Sequence, residues 1–258
     1  MAEALYRQVA ADLRAKINKG EWPPGTQLPS EPALERLYGH LVGPDARLSR
    51  NTVRLAIAVL QNEGLVEARQ GRGTFVRERV TFTVLASAEE GGRSGPDRDA
   101  FVAAVTVQGR HPEQLDFRME LRTASPEVAE RLRIEEGDAV VVRSLHRLID
   151  GRPWSIQESF YPMDIAEGTQ LMSPQNIEHG TVAELRRHGH DQIGYRDEIV
   201  CRMPSHEEAI FLALGTGVPV LEMFRTARSA ARPIRLTINV YAGDSTQLAY
   251  EIGTPIGE

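Results

Sequence analysis

Ser49-Arg50-Asn51-Thr52-Val53-Arg54-Leu55-Ala56-Ile57-Ala58-Val59-Leu60-Gln61-Asn62-Glu63-Gly64-Leu65-Val66-Glu67-Ala68-Arg69-Gln70-Gly71-Arg72-Gly73-Thr74-Phe75-Val76 predicts a helix with two unlike faces, then a glycine-tipped hairpin carrying arginines. Val53, Ala56, Ile57 and Leu60 recur at i, i+3, i+4 and i+7, a stripe that has to be buried against other helices. Ser49 can cap the helix start with its hydroxyl, and Gly64 can stop it by taking a positive φ without strain. The outward N-terminal end is left to Arg50, Asn51, Thr52 and Arg54. Arginine matches guanine O6 and N7, asparagine matches adenine N6 and N7, and a threonine hydroxyl or the positive helix end matches phosphate. An ordinary solvated helix start has similar composition, so the neighbour decides. Residues 65–67 and 74–76 read as strands, joined by the turn Arg69-Gln70-Gly71-Arg72-Gly73. A hairpin directly after such a helix is a wing, whose tip lies along the adjacent minor groove.

Upstream, Leu5, Val9, Leu13 and Ile17 recur every four residues and give a first helix one apolar seam, which Trp22-Pro23-Pro24-Gly25 is expected to end. Ser30 is expected to cap a second short helix whose buried contacts are Leu34, Leu37 and Tyr38. Three helices and a wing make a winged helix-turn-helix.

With those residues in place the chain resembles the DNA-binding domain of GntR-family bacterial transcription regulators. The resemblance runs through Leu5-Tyr6-x-Gln8-Val9-Ala10, Pro23-Pro24-Gly25-Thr26-x-Leu28-Pro29-Ser30-Glu31, Ser49-Arg50-Asn51-Thr52-Val53-Arg54-x-Ala56, Glu63-Gly64-Leu65 and Gly71-Arg72-Gly73-Thr74-Phe75-Val76. It covers about the first third of the chain, and its motifs are many and ordered. It implies contact with double-stranded operator DNA through Ser49, Arg50, Asn51, Thr52 and Arg54, and through Gln70, Gly71 and Arg72 of the wing. Two departures stand out. Pro32 replaces an arginine that many relatives carry after Pro-Ser-Glu, which removes that contact. Residues 40–48 form an insertion where relatives run almost directly into the third helix; loop lengthening costs little, and Arg47 is a candidate for an added phosphate contact.

Charge follows the same division. Residues 1–80 hold twelve Lys and Arg against nine Asp and Glu, whereas residues 81–258 hold eighteen against twenty-seven, within a net charge of -6. DNA affinity depends on the local patch, and residues 47–79 carry seven arginines against Glu63, Glu67 and Glu78. At 258 residues the chain has room for a second core. We place the boundary between a DNA-binding domain, 1–78, and a second domain, 79–258. The linker falls near residues 77–82 and the most flexible stretch at 86–99, rich in charge, Gly and Pro. A single cysteine, Cys201, excludes an intrachain disulfide and is expected to be a small buried hydrophobe. Residues 1–6 lack the features of a signal sequence and no apolar run reaches membrane length, so a cytoplasmic protein without membrane partners is expected.

The second domain alternates strands with short capped helices. Residues 102–107 and 116–123 read as strands, Ser125-Pro126 opens a helix to about Leu132, and Gly137-Asp138 turns into a strand over 139–149. Thr181 with Glu184 and Ser205 with Glu208 read as capping boxes. Residues 218–227 and 234–242 form a long hairpin joined through 229–233. The sum is an α+β domain around an antiparallel sheet. On its last strand Arg235, Thr237, Asn239 and Tyr241 alternate with Leu236, Ile238 and Val240, and earlier Arg143, Leu145 and Arg147 share one side. Such polar sides either meet solvent or line a site.

Gly137-x-x-Val140, Arg147 with Gly151-Arg152-Pro153, Glu158-Ser159-x-Tyr161-Pro162, Thr181-Val182-x-Glu184-Leu185, and Arg232-Pro233 with Tyr241-x-Gly243-Asp244 resemble the UTRA ligand-sensing domain of the HutC-type GntR subfamily. The resemblance implies a chorismate-lyase-like fold and a small effector held by Arg147, Gln157, Arg235 and Tyr241. Relatives often carry a carboxylate where Gln157 and Arg235 stand, which points to a more anionic effector here. The mechanism so implied is ligand-coupled repression by a homodimer on a pseudopalindromic operator. An enzyme of chorismate-lyase-like fold tethered to a DNA-binding module is the alternative, and an architectural DNA binder a third. No catalytic motif, cofactor or metal is expected: no nucleophile elbow, metalloprotease helix or phosphate loop occurs, and His188 and His190 with Asp191 lie in a glycine-containing loop without evident partner ligands.

Overall fold

The computed structural model describes residues 4–69, 71–77, 81–85 and 99–250. The chain divides into two compact units, Met1–Val80 with Leu214–Val218, and Thr81–Ala213 with Pro219–Glu258.

The first unit contains α1 (Leu5–Asn18), α2 (Glu31–Leu37), a 3-10 turn (Gly39–Leu41), α3 (Arg50–Asn62), β1 (Val66–Arg69) and β2 (Gly73–Val76). Val9 and Leu13 of α1, Leu34 of α2 and the predicted stripe of α3 meet in one core with Leu28, Tyr38, Leu48, Val66 and Val76. α1 stops earlier than Trp22 and its prolines. Gly20 at φ 77° lets its N–H reach the Ile17 carbonyl while the Glu21 N–H reaches Lys16, both at 3.0 Å, satisfying the last carbonyls of the helix. On α2, Leu34 and Tyr38 are buried as expected, but Leu37 is 45% exposed: in a seven-residue helix the apolar stripe is one residue wide per turn, and Leu37 falls beside it. Ser30 stands at the N-cap position without a side-chain cap bond, and Pro32 sits in the first turn, where its missing donor costs nothing.

The insertion is tied back onto the core. Leu48 is buried and its N–H donates to the Glu35 carbonyl at 3.0 Å. A Cβ at Gly39 would lie 1.8 Å from the Ala46 carbonyl oxygen, so the loop closes on the one residue type that admits it. α3 begins with the Ser49 hydroxyl accepting from the Thr52 N–H at 3.1 Å. It ends where Gly64, at φ 65°, allows the Leu65 N–H to reach the Leu60 carbonyl at 3.0 Å. The Gly25-Thr26-Gln27-Leu28 segment pairs with the far side of β2 through Gly25 to Val76, Val76 to Thr26 and Leu28 to Thr74 bonds. The proline-glycine motif after α1 thus ties an extended segment to the outer edge of the two-stranded wing, with Gln27 bridging Phe75.

In the second unit, α4 (Ala100–Val107) precedes β4 (Pro112–Thr123), α5 (Pro126–Leu132), β5 (Ala139–Ile149), β6 (Arg152–Pro162), α6 (Met163–Ala166), a 3-10 turn (Gln170–Met172), α7 (Thr181–Arg187), β7 (Gly194–Arg202), α8 (His206–Phe211), β8 (Val220–Arg228) and β9 (Pro233–Ala242). β4 to β9 form one antiparallel sheet in the order β4-β5-β6-β9-β8-β7. β3 (Phe82–Leu85) pairs in parallel with the late strand β10 (Thr246–Ala249). α5 covers one face with Val128, Ala129 and Leu132 against Val140, Val142, Phe160, Phe224 and Leu236. Two smaller clusters lie among the remaining elements, one joining β3 and α4 to Trp154 and Tyr241, the other joining α6 and α7 to Val141, Tyr161 and Ile234.

Several expectations are corrected. Residues 102–107 belong to a helix. The Asp99 carboxylate accepts from the Phe101 and Val102 N–H groups at 3.0 and 3.2 Å, and Phe101 and Val105, one turn apart, are both buried. A β-branched run without its cap mimics a strand; Asp99, assigned to the flexible stretch, is the cap. Glu184 is no capping residue: Gly180 holds the N-cap position of α7 and Glu184 turns inward. There its carboxylate accepts from the Gln170 N–H and from His179 Nε2, each at 2.7 Å. The box at Ser205 and Glu208 forms as read. Cys201 is exposed rather than buried, because it lies on β7, an edge strand. The flexible stretch, but for Asp99, and residues 78–80 of the linker fall outside the described residues.

Candidate nucleic-acid interface and effector face

The N-terminal end of α3 stands clear of the core. Arg50, Asn51 and Arg54 are exposed, with side chains 67% and 57% accessible for the two arginines. Thr52 is half-buried because its hydroxyl turns to Ser49 Oγ at 2.7 Å. Both arginines bond one carboxylate, Glu31 at the start of α2: Arg50 Nε donates to Oε2 at 2.8 Å, and Arg54 Nε to Oε1 and Oε2 at 3.1 and 3.2 Å. The Arg50 hydrogen bond, helped by Arg54 and opposed by partial burial, holds the Glu31 carboxyl below the ordinary glutamate range.

The wing is built to hold its tip outward. β1 and β2 pair in register down to Arg69 opposite Gly73, and Gly71 takes φ 70°. Gln27 Nε2 donates to the Arg72 carbonyl at 2.6 Å, tying the tip to the segment that follows α1. The Arg69 and Arg72 guanidiniums stand 4.4 and 5.9 Å from the Phe75 ring centre. Gly71 and Arg72 are exposed; Gln70 lies outside the described residues. Neither Glu31 nor Gln27 was singled out by the sequence reading, although both sit in the motif around Pro29-Ser30.

Most of the polar side of the sheet in the second unit is covered, with Leu145 and Gln157 half-buried. Arg143, Arg147, Arg225, Arg235, Ser155, Ser159, Thr237, Asn239 and Tyr241 are all buried. Registers place them in rows: Arg143, Ser159, Thr237, Arg225 and Asp197 across one row, Leu145, Gln157, Asn239 and Met223 across the next, and Arg147, Ser155, Tyr241 and Leu221 across the third. Arg147, Gln157 and Tyr241 therefore come together. Arg235 does not join them: six residues from Tyr241 on β9, it lies about 20 Å away at the rise of an extended strand, where its guanidinium meets Gln192 and Thr181 at 3.1 and 3.4 Å.

The four buried guanidiniums differ in what balances them. Arg225 is matched by Asp197 through two 2.7 Å bonds. Arg143 donates to the carbonyls of Leu171, Ser173 and Gln175, and burial pushes its pKa down. Arg147 lies 4.6 Å from the Phe101 ring centre. Among the described residues neither Arg143 nor Arg147 has a carboxylate partner. Arg147 Nε, Ser155 Oγ and Asn239 Oδ1 are buried atoms without a hydrogen-bond partner among those residues. Each such group costs about 1–3 kcal/mol unless something completes it. Ser155 and Asn239 were not assigned from sequence: Asn239 was seen on the polar side but given no role, and β6 was read only as a motif.

A cleft of about 720 Å³ lies elsewhere, between α5 and the ends of β7, β8 and β9. Its lining mixes Glu127, Glu130 and Glu198 with Arg131, Arg133 and Arg228 and includes none of Arg147, Gln157, Arg235 and Tyr241. Among the described residues no group of three His, Cys, Asp or Glu side chains is arranged to hold a metal ion; His188 Nε2 instead lies 3.2 Å from Glu184. No described helix is long and apolar enough to cross a membrane.

Residues 5–76 match the family of bacterial regulatory proteins, gntR family, and residues 107–247 match the UTRA domain. The chain belongs to the GntR family. In it, a winged helix-turn-helix precedes a UTRA domain, the HutC-type combination. Relatives agree over nearly their whole length. An HTH-type transcriptional regulator of Rhizobium meliloti is 31% identical over 97% of this chain and 96% of its own. The mannosyl-D-glycerate transport/metabolism system repressor MngR of Escherichia coli is 29% identical over 84% of this chain and 82% of its own. A crystal structure of a GntR-family transcriptional regulator, 27% identical, superposes with a TM-score of 0.65 over 98% of this chain and 99% of that one. PhnF from Mycobacterium smegmatis, 21% identical, shares the fold at a TM-score of 0.56 over 96% of this chain and 100% of its own. This GntR-family protein is a ligand-responsive transcription regulator, and the enzyme alternative falls away.

Proposed function

We propose that this GntR-family protein is a cytoplasmic repressor that binds a pseudopalindromic operator as a homodimer. Residues 1–78 read the DNA and residues 79–258 sense a small anionic effector and form the dimer. The single observation that carries the DNA half is the exposure of Arg50, Asn51 and Arg54 at the capped start of α3, beside the arginine-bearing wing. Ser49, Thr52, Gln70, Gly71 and Arg72 complete the contact set, with hydroxyls and backbone for phosphate and the wing for the minor groove. Repression, rather than activation, is supported by relatives named as repressors, MngR of Escherichia coli and NagR of Bacillus subtilis.

For the effector, support comes from two buried guanidiniums on one sheet face, Arg143 and Arg147, with no carboxylate among the described residues to balance them. A buried cation without a counter-charge is costly, and an anionic ligand would supply it. Arg147, Gln157 and Tyr241, with Ser155 and Asn239, form the contact cluster; Arg235 steadies the α7 end of the same face. Binding there biases the dimer between arrangements that fit and do not fit two half-sites, which needs a coupling of only about 1–3 kcal/mol. The test is selection of binding sites from a random duplex pool, followed by competition with small anionic metabolites. Recovery of an inverted repeat that some anion releases from wild type, but not from Arg147→Ala, is expected. Failure to enrich any sequence would refute the DNA half, and release that is indifferent to Arg147 would refute the effector half.

A further inference from the structure

The carboxylate of Glu31 occupies an unusual place for a surface meant to face phosphate. It sits on α2, outside the proposed contact set, and takes the Nε–H groups of both Arg50 and Arg54 at 2.8 to 3.2 Å. A guanidinium has five N–H donors; holding it at Nε leaves the terminal nitrogens, the pair that matches guanine O6 and N7 or a phosphate. Arg50 and Arg54 are also one turn apart on α3, where two like charges repel. A carboxylate shared between them relieves that repulsion and restricts two long side chains that would otherwise lose rotamer freedom only on meeting DNA. The arrangement rests on residues of unequal exposure, Glu31 at 29% against 67% and 57% for the arginines, so the clamp lies beneath the groups it orients.

We infer that Glu31 is a positioning residue for sequence readout, presetting Arg50 and Arg54 as one unit whose free terminal nitrogens face the base edges. This rests on the reading that α3 enters the major groove. It makes a prediction opposite in sign to simple electrostatics. Removing a negative charge from a DNA-facing surface should by itself tighten binding to every duplex. Removing a clamp should loosen binding only where bases are read.

The experiment compares two duplexes of equal length, the one enriched by wild type from a random pool and a scrambled version, across a salt series. Wild type, Glu31→Gln, Glu31→Asp, Arg50→Ala and Arg54→Ala are measured as full-length proteins. Glu31→Gln is expected to lower the ratio of enriched to scrambled affinity about tenfold, the effect of losing about one good base contact, while scrambled-duplex affinity holds or rises. Glu31→Asp, which keeps the charge on a shorter arm, should recover part of the ratio. Scrambled-duplex binding also reports that the variant is folded. A Glu31→Gln ratio equal to or above wild type, whatever the absolute affinities, overturns the inference. If Arg50→Ala and Arg54→Ala lose discrimination while Glu31→Gln keeps it, only the clamp fails; if neither arginine matters, the reading of α3 fails.

Discussion

Arg147 shows what a single residue carries in the sensor half. It is buried in the row that runs through Ser155 and Tyr241, its guanidinium faces the Phe101 ring, and its Nε lacks a hydrogen-bond partner among the described residues. We predict that Arg147→Ala binds operator like wild type but no longer responds to the anion that releases wild type, and that Arg147→Lys, with a point charge in place of a fork, responds only at higher concentration. Titrations of operator release would show it; a normal response from Arg147→Ala would remove the residue from the site. Strand alternation makes Asn239 and Tyr241 legible on one side of β9 and Arg143 and Arg147 on one side of β5; that the two sides are the same face of the sheet follows from the pairing registers. Arg235 joins Arg147, Gln157 and Tyr241 only through the family resemblance: on β9 it stands six residues, about 20 Å, from Tyr241, and alternation gives the side of a strand and not the height along it. Nor does it distinguish a polar side that meets water from one that is covered. Only the long-range packing of α4, α6 and α7 decides that, and their contacts are not written in any local pattern. Glu31 went unassigned for a related reason, since its partners lie 19 and 23 residues on.

Elements were legible where cap and stripe agreed. α3 has Ser49, its four-residue stripe and Gly64, and it begins and ends as read. Ser49→Ala should cost about 1 kcal/mol by removing the Thr52 N–H partner, read as a shift of the denaturation midpoint; no shift would mean that the cap is idle. Where one signal was missing the reading slipped: α4 looked like a strand because its cap, Asp99, follows a glycine-rich stretch. The insertion offers a sharper test at Gly39, whose added Cβ would meet the Ala46 carbonyl oxygen. Gly39→Ala should destabilise the first unit by about 1–3 kcal/mol, the usual cost of overpacking; an unperturbed melting curve would show that the 42–48 loop is not docked there. In the second unit Arg202 of β7 joins Glu208 of α8 and Glu222 of β8 through four bonds of 2.7 to 2.9 Å. The Arg202 hydrogen bond holds the Glu208 carboxyl below its ordinary value of 4.5. A depressed carboxylate stabilises the fold above its unfolded pKa and loses that contribution as pH falls through the folded one. Stability of the unit should therefore fall as pH drops below about 4.5, and Glu208→Gln should show less of that fall than wild type in denaturant midpoints; equal acid dependence would place the sensitivity elsewhere.

For the whole molecule, the uneven charge of the chain matches its proposed division of work. The basic excess lies in residues 1–80 and the acidic balance in the remainder, so net charge alone would have argued against a nucleic-acid partner. Composition could not show this; the order of motifs could, because a helix-turn-helix followed by a sensor domain fixes which local patch matters. A dimer reading two half-sites adds a geometric demand. Inserting about five base pairs between the halves of the selected repeat, half a helical turn, should turn them to opposite faces and abolish cooperative binding, while about ten should restore much of it. Binding indifferent to both insertions would mean independent monomers. Whether the start of α3 reads DNA is decided by measuring Arg50→Ala against wild type on the selected operator and its scrambled counterpart. Operator affinity is expected to fall about tenfold or more, with a change confined to particular base positions or a salt slope smaller by about one; an Arg50→Ala protein that binds both duplexes as wild type does would rule out readout by α3.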